Sequence, residues 1–175
     1  TVFLGFGFIK NKNYEIIMHM DFRDALVGLY RKAATSLPPD VEAALKSAYK
    51  KESAIARSIL SILLENVRIA RKTERPLCQD TGVPNFFIKV PIGVSQSELR
   101  KTIVEATRIA TRKVPLRANA VDVITEKNSG DNTGFGFPIM YFEETKKGRL
   151  IIDLMLKGAG SENVGQLYRL PHVEL

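Results

Sequence analysis

The sequence predicts an α+β (mixed α/β) fold, in which an N-terminal helical bundle packs on a small mixed β-sheet. Apolar residues recur at helical spacing between Asp21 and Lys72, which indicates a helical first half. Short apolar runs bounded by turn residues begin at Asn85, and a helix signal at Ser95 separates the first run from the others. A chain of 175 residues accommodates these elements in one domain of ordinary size.

Three helices are expected before the first strand. The first begins at Asp21 and ends before Pro38, and its apolar residues share one face: Phe22, Ala25, Leu26, Leu29, Tyr30 and Ala33. The second opens at Pro39, since proline is tolerated in the first turn of a helix. The third covers about 52–72, and its apolar residues surround so much of the helix that we expect burial on more than one side: Ile55, Ile59, Leu60, Leu63, Leu64, Val67 and Ala70.

Three strands are predicted in the second half of the chain. The first covers 85–90 and is bounded by Pro84 and Pro91. The other two cover 135–142 and 150–156 and are joined by a polar turn.

One further helix lies between the first and second of these strands. Ser95 and Glu98 form a capping box at its start, because each side chain can satisfy a backbone N–H of the other. Its inner face is predicted to consist of Leu99, Ile103, Ala106 and Ala110. Its outer face is predicted to consist of Lys101, Glu105, Arg108 and Arg112.

The composition excludes several classes of protein. Hydrophobic residues make up 45% of the chain and charged residues 26%, and no apolar run approaches the ~20 residues that span a bilayer, so a membrane partner is not expected. A single cysteine, Cys78, excludes an internal disulfide framework and favours a cytoplasmic location. The net charge of +7 is spread among acidic neighbours, which favours a solvated basic surface, or one suited to a small anionic substrate, over a nucleic-acid surface.

We interpret residues 1–19 as an N-terminal extension or added segment, and 20–175 as the domain itself. Met18 and Met20 are the candidates for a natural start of the chain.

Three polar, glycine-bearing segments adjoin the predicted elements, and loops of this kind commonly carry function. They are CQDTG at 78–82, NSGDNTG at 128–134 and KGAGSEN at 157–163. Each also has a plain structural interpretation: a lone cysteine is usually a small buried residue, NSGDN is a good turn, and Ser161 can cap a helix. Taken singly, none of them indicates a function.

Taken together with RANAV at 117–121, these segments occur in the order, and at about the spacing, that is found in one family. The chain resembles the class I (iron–sulfur) fumarate hydratases and the α subunits of the related tartrate dehydratases, from about Asp21 to Asn163. The middle loop departs slightly from that family, which more often has Thr at Ser129 and Pro at Gly134.

The resemblance implies a hydro-lyase that reversibly adds water across the double bond of a C4 dicarboxylate, with fumarate and malate favoured and tartrate next. Such enzymes use a [4Fe–4S] cluster held by three cysteines, whose open iron acts as a Lewis acid on the substrate. Carried over by residue, Cys78 is then one cluster ligand, and the substrate-binding residues are Gln79, Asp80, Arg117 and Gly160. Asp80 is also the candidate for proton transfer.

Alternatives stay open for several of these side chains. Arg117 could pair at the surface with Asp122 or Glu126 instead of binding a ligand. We expect Asp131 and Asn132 to shape their own loop and not to contact substrate.

The resemblance also implies that this chain corresponds to the N-terminal part of an α subunit. The two further cysteines would lie well beyond Leu175, a catalytic base and further substrate-binding residues would belong to a C-terminal domain or a β subunit, and a homo-oligomer is expected. Because one thiolate cannot hold a four-iron cluster, we expect no bound cluster and no hydratase activity for the chain alone. The alternative is a non-catalytic binding or regulatory module that keeps the fold without a cluster.

Overall fold

The computed structural model describes residues 2–7, 21–158, 160 and 167. No helix within those residues is long and apolar enough to cross a membrane.

Four helices and four strands are formed by the described residues. The helices are α1 (Asp21–Thr35), α2 (Pro39–Lys51), α3 (Ala54–Thr73) and α4 (Gln96–Lys113). The strands are β1 (Val2–Gly7), β2 (Val83–Pro91), β3 (Ile139–Thr145) and β4 (Arg149–Lys157).

The strands form one mixed sheet in the order β1-β4-β2-β3. Strand β2 lies in the middle of the sheet, parallel to β3 and antiparallel to β4, and β1 adds antiparallel to the other edge of β4. The helices and the mixed sheet confirm the predicted α+β class, while β1, in the segment interpreted as an extension, is a strand that the sequence pattern did not predict. The short turn after β3 crosses the end of β2, so β3 and β4 are consecutive in the chain but not adjacent in the sheet.

Helices α1 and α4 cover one face of the sheet and form the core with it. The residues of the predicted inner face of α4 are all buried, which confirms that face. The apolar face predicted for α1 is confirmed at those of its residues that are fully buried. Alternate residues of β2 and β4 complete the core: Phe86, Ile88 and Val90 from one strand and Leu150, Ile152 and Leu154 from the other. Asp153 lies on the opposite face of the sheet. Burial raises the pKa of its carboxyl, and the charge of Lys89 lowers it by less, so that pKa stays above its ordinary value.

The expected burial of α3 on more than one side is wrong. Among the described residues, α3 packs mainly against α2 and touches α1, and only Val67 and Ala70 are buried. Ile55, Ile59 and Leu63 are exposed. The apolar pattern correctly predicts the helix, but burial also requires a second packing element, and no described segment provides one.

Two strand boundaries also differ from the prediction. Pro84 and Pro91 lie inside β2 and do not bound it. Phe135 lies outside β3 and is exposed, because Gly134 and Gly136 have positive φ angles that keep this stretch of backbone out of the extended conformation.

At the start of α4, the half of the predicted capping box in which Ser95 is the acceptor is confirmed. The Ser95 hydroxyl accepts a hydrogen bond from the Glu98 N–H at 3.3 Å. The Glu98 carboxylate accepts a hydrogen bond from Lys101.

One buried hydrogen bond joins α1 to α4 inside the core. The hydroxyl oxygens of Tyr30 and Thr107 are 2.7 Å apart, and the Thr107 hydroxyl donates to the Ile103 carbonyl, so Tyr30 is the donor to Thr107. Burial raises the pKa of the Tyr30 phenol, and the bond to Thr107 lowers it by less.

We expect Tyr30→Phe to reduce the free energy of unfolding by about 1 kcal/mol, because it removes this buried hydrogen bond and little packing. Urea denaturation followed by circular dichroism measures the change. Tyr141→Phe is the matched control, since Tyr141 is exposed on β3 and its loss of a hydroxyl should leave stability unchanged. Equal effects of the two substitutions would contradict this account of the core.

Candidate functional site

The topology brings the predicted motif segments to one end of the sheet. Val83, which begins β2, pairs with Lys157, which ends β4, so the loop before β2 and the segment after β4 are neighbours. Strand β3 begins at this same end because it is parallel to β2, with Ile139 paired to Asn85. The 78–82, 117–121 and 128–134 segments therefore meet near Gly158 and Gly160. We call this group the motif loops.

Asp80 lies at the centre of the motif loops. Its Oδ1 atom accepts hydrogen bonds from the Gly82 N–H at 3.1 Å and from Asn119 Nδ2 at 3.4 Å. Its Oδ2 atom accepts one from the Gly160 N–H at 3.2 Å. The carboxylate is half-buried and contacts three separate segments of the chain. Of the predicted site residues, Asp80 and Gly160 are thus in direct contact.

Cys78 and Gln79 precede Asp80 in the same loop and are exposed. The Cys78 thiol is free. No group of three or more His, Cys, Asp or Glu side chains in the described part of the chain could hold a metal ion. Cys78 therefore presents one accessible thiol beside Asp80, and the described residues around it do not form a complete cluster site.

Arg117 is held beside this loop by its backbone. Its N–H donates to Thr81 Oγ1 at 2.8 Å, while its side chain is exposed. Neither of the surface ion pairs considered for Arg117 is present in the described residues. Asp122 instead accepts hydrogen bonds from the Thr125 N–H, the Thr125 hydroxyl and the Ile124 N–H, which lower the pKa of its carboxyl. Within the described part of the chain, the Arg117 guanidinium is thus not engaged by either carboxylate.

Asn132 holds the 117–121 segment in place. It is 2% exposed and has a φ of 60°, a conformation that asparagine tolerates better than most residues. Its Oδ1 accepts from the Asn119 N–H at 2.7 Å and the Ala120 N–H at 3.2 Å. Its Nδ2 donates to the Arg117 carbonyl at 2.8 Å and to Thr111 Oγ1 at 3.2 Å. This one side chain therefore satisfies three backbone groups that no strand or helix pairs.

Asn119 then links that segment to the 78–82 loop. Its Nδ2 lies 3.2 Å from the Gly82 carbonyl, besides its contacts with Asp80 and Thr81. Sequence reasoning assigned Asn119 no role, although it stands at the centre of the RANAV string on which the resemblance depends. Its place in that string was the one sign in the sequence that Asn119 matters to the site.

Asp131 stabilises its own loop, as expected from the sequence. Its Oδ1 accepts from the Thr133 N–H at 3.0 Å and the Thr133 hydroxyl at 2.6 Å. Burial raises the pKa of the Asp131 carboxyl, but these hydrogen bonds and the nearby Arg108 outweigh burial and keep that pKa below its ordinary value.

Two glycines permit the close approach of the motif loops to the end of β4. Gly82 has a φ of 77°, and a Cβ atom there would lie 2.7–2.8 Å from backbone atoms of Leu156 and Lys157. A Cβ on Gly158 would lie 2.9 Å from Asp80 Oδ2. Gly82 therefore requires glycine for the observed geometry, whereas a Cβ on Gly158 would displace the Asp80 carboxylate.

One cleft lies away from the motif loops. About 510 Å³ in volume, it is located between α2 and α3, where Glu42 is paired with Lys46 and Arg71. A smaller cleft of about 220 Å³ adjoins the 128–134 loop. None of the predicted site residues lines either of these two clefts. The predicted segment 161–163 falls outside the described residues.

Comparison with known proteins shows the family to which the chain belongs. The family described as fumarate hydratase (Fumerase) matches residues 23–174, so the chain belongs to that family. It is 41% identical over 150 residues, 85% of this chain, to a protein of Geobacillus stearothermophilus provisionally named a class I fumarate hydratase. It is 43% identical over 157 residues, 86% of this chain, to one of Methanocaldococcus jannaschii provisionally named an L(+)-tartrate dehydratase subunit alpha.

A third relative is the L(+)-tartrate dehydratase subunit alpha of Escherichia coli, with 40% identity over 111 residues, 60% of this chain. The matched regions cover 29%, 55% and 35% of these three relatives, so the chain spans only part of each.

We expect Gly82→Ala to destabilise the chain by at least about 2 kcal/mol more than Gly93→Ala. Both glycines have positive φ, so both substitutions strain the backbone, but a Cβ on Gly93 meets nothing within 4 Å. The difference between the two losses of unfolding free energy, measured by urea denaturation, therefore reports the close approach of Gly82 to β4. Equal losses in the two variants would contradict that close approach.

We expect Asn132→Ala to increase hydrogen exchange at the Asn119 and Ala120 amides by about tenfold or more, because both lose their acceptor. Amide exchange measured by NMR tests this directly. Asn128→Ala is the control, since its side chain donates to the Ala118 carbonyl and accepts from the Gly130 N–H but does not bind those two amides. Unchanged protection in Asn132→Ala would show that the segment does not depend on this side chain.

Proposed function

We propose that this chain carries part of the active site of a hydro-lyase that adds water to, or removes it from, a C4 dicarboxylate. Conversion between fumarate and malate is the first candidate, and dehydration of tartrate to oxaloacetate the second. The observation that carries the proposal is the meeting of Cys78, Asp80, Arg117 and Gly160 at one end of the sheet, supported by membership of the fumarate hydratase family.

Cys78 would supply one thiolate to a [4Fe–4S] cluster in the complete enzyme. When bound, that cluster supplies a Lewis acid for the substrate hydroxyl and carboxylate. Since the whole sequence contains one cysteine, the other two ligands have to come from additional polypeptide. A C-terminal domain or a β subunit is the proposed source, and the chain alone is expected to lack hydratase activity.

The remaining residues bind and orient the dicarboxylate. The exposed Arg117 guanidinium offers paired N–H donors that match the two oxygens of a carboxylate. The Gly160 N–H, which now donates to Asp80, is a second donor at the same surface. Gln79 adds an exposed amide within the same loop. These groups would hold the two ends of a four-carbon substrate across Asp80.

Asp80 would move the proton of the leaving water. In dehydration, a protonated Asp80 carboxyl gives its proton to the departing hydroxyl, and in hydration the carboxylate takes a proton from the attacking water. Hydrogen bonds from Gly82 and Asn119 hold Oδ1 of the carboxylate, and the Gly160 N–H, which donates to Oδ2, would leave Oδ2 for proton transfer when it binds the substrate. A base on the additional polypeptide would take the carbon-bound proton.

The test is anaerobic reconstitution with iron and sulfide. The chain alone is compared with an assembly extended through two further cysteines and combined with its β partner. Absorbance near 400 nm, typical of iron–sulfur clusters, is followed with hydration of fumarate and dehydration of tartrate. We expect only the assembly to take up the cluster and turn over, and the faster substrate to identify the reaction. An assembly that stays colourless and inactive would favour the binding-module alternative.

In that assembly, Arg117→Ala should raise the KM for the dicarboxylate by about tenfold or more, because it removes a charge-assisted pair of hydrogen bonds. The absorbance of the cluster should be unchanged, whereas Cys78→Ser should abolish it. Arg112→Ala is the control, since Arg112 is exposed on α4 and carries the same charge. An unchanged KM in Arg117→Ala would exclude the proposed carboxylate contact.

A further inference from the structure

The hydroxyl of Thr81 connects the loop that carries Asp80 to the segment that carries Arg117. Thr81 follows Asp80 in the chain and is buried, with 7% of its surface exposed. Its Oγ1 atom accepts a hydrogen bond from the Arg117 N–H at 2.8 Å, and Asn119 Nδ2 lies 3.5 Å from the same oxygen. The contact with Arg117 is the shorter of the two and defines the separation of the two backbones.

The loop is fixed to the sheet directly after Thr81. Gly82 is buried against the end of β4, where a Cβ atom would lie 2.7–2.8 Å from backbone atoms of Leu156 and Lys157. Val83 begins β2 and pairs with Lys157. Because the residues that follow Thr81 are packed this closely against β4, its hydroxyl is held at a fixed position relative to the sheet.

Arg117 has no comparable support from regular secondary structure. Helix α4 ends at Lys113, and Arg117 lies in irregular backbone beyond it. Its N–H is bound by Thr81, and its carbonyl accepts a hydrogen bond from Asn132 Nδ2 at 2.8 Å. The position of the Arg117 backbone therefore depends on two side chains, and the contact with Thr81 is the one that leads to the residue next to Asp80.

The separation of Arg117 and Asp80 matters for the reaction proposed above. In that reaction Arg117 binds one carboxylate of the substrate, and Asp80 moves the proton of the leaving water. A substrate held by Arg117 meets Asp80 correctly only if the two side chains extend from backbones at a fixed separation. Misplacement of a reacting group by about 1 Å can lower a rate by about 100-fold.

We propose that Thr81 is a positioning residue whose hydroxyl sets the spacing between the Arg117 guanidinium and the Asp80 carboxylate. It acts through the backbone of Arg117 and needs no contact with substrate of its own. This role rests on the hydro-lyase activity proposed above, because that reaction is what requires the two side chains at a fixed spacing.

Hydrogen exchange in the chain alone tests the contact. Thr81→Val keeps the branched shape of the side chain but removes the acceptor, so exchange at the Arg117 amide should increase about tenfold or more. Thr81→Ser keeps a hydroxyl and should leave that amide protected. The Asn119 and Ala120 amides donate to Asn132 Oδ1, so they should stay protected in both variants, which also shows that the variants are folded. An Arg117 amide that stays equally protected in Thr81→Val would overturn the proposal.

Kinetics of the complete assembly test the positioning role. Thr81→Val should lower kcat/KM for the dicarboxylate about tenfold or more at unchanged cluster absorbance, whereas Thr81→Ser should keep kcat/KM within about threefold of the original value. In an Arg117→Ala background, Thr81→Val should lower kcat/KM by less than about twofold, because the guanidinium that it positions is absent. Thr102→Val is the matched control: Thr102 is also 7% exposed, but its hydroxyl donates to the Glu98 carbonyl within α4, so this variant should keep full activity.

The outcomes separate the positioning role from the proposed function. An assembly with Thr81 intact that turns over no dicarboxylate would overturn the proposed function and the positioning role with it. An active assembly in which Thr81→Val keeps its kcat/KM, or loses its cluster absorbance, would overturn the positioning role alone. So would an equally large loss in Thr81→Ser, or equal fractional losses from Thr81→Val with and without Arg117→Ala, because a merely structural effect is independent of the guanidinium.

Discussion

The side chain of Asn132 is the interaction on which the candidate site depends. The segment after α4 has no strand partner for most of its length, so its backbone N–H and carbonyl groups need other partners once they are covered. The Asn132 side chain accepts from two of those N–H groups and donates to one carbonyl. The Asn119 side chain in turn donates to Asp80 and to the Gly82 carbonyl. Arg117 and Asp80 are thus held near each other by hydrogen bonds between loops rather than by regular secondary structure.

The sheet explains why these loops meet at all. With β2 between β3 and β4, the starts of β2 and β3 and the end of β4 lie at one end of the sheet. The core of α1, α4 and the sheet keeps these strands rigid, while the glycines at 82 and 158 let the loops approach β4 and Asp80 closely. Residues that are more than 70 positions apart in the chain, such as Asp80 and Gly160, come into contact in this way.

Much of the fold could be predicted from the sequence, since periodicity and caps act locally. The faces of α1 and α4 and the Ser95 cap are examples. The exposure of α3 could not be predicted, because an apolar helix shows the same sequence pattern whether or not a partner covers it. The motif strings made Cys78, Asp80, Arg117 and Gly160 candidate site residues, but they gave Asn119 no role and Asn132 only a role within its own loop. The importance of these two asparagines arises from contacts between segments, which spacing along one loop does not reveal.

The most direct test of the central claim is an anaerobic crystal structure of the complete assembly with cluster and malate bound. We expect one malate carboxylate within hydrogen-bonding distance of the Arg117 guanidinium, and the other near the Gly160 N–H. Cys78 Sγ should be bonded to iron, and Asn132 Oδ1 should still accept from the Asn119 N–H. Malate bound away from Arg117 and Asp80, or Cys78 without iron in a loaded enzyme, would contradict the account.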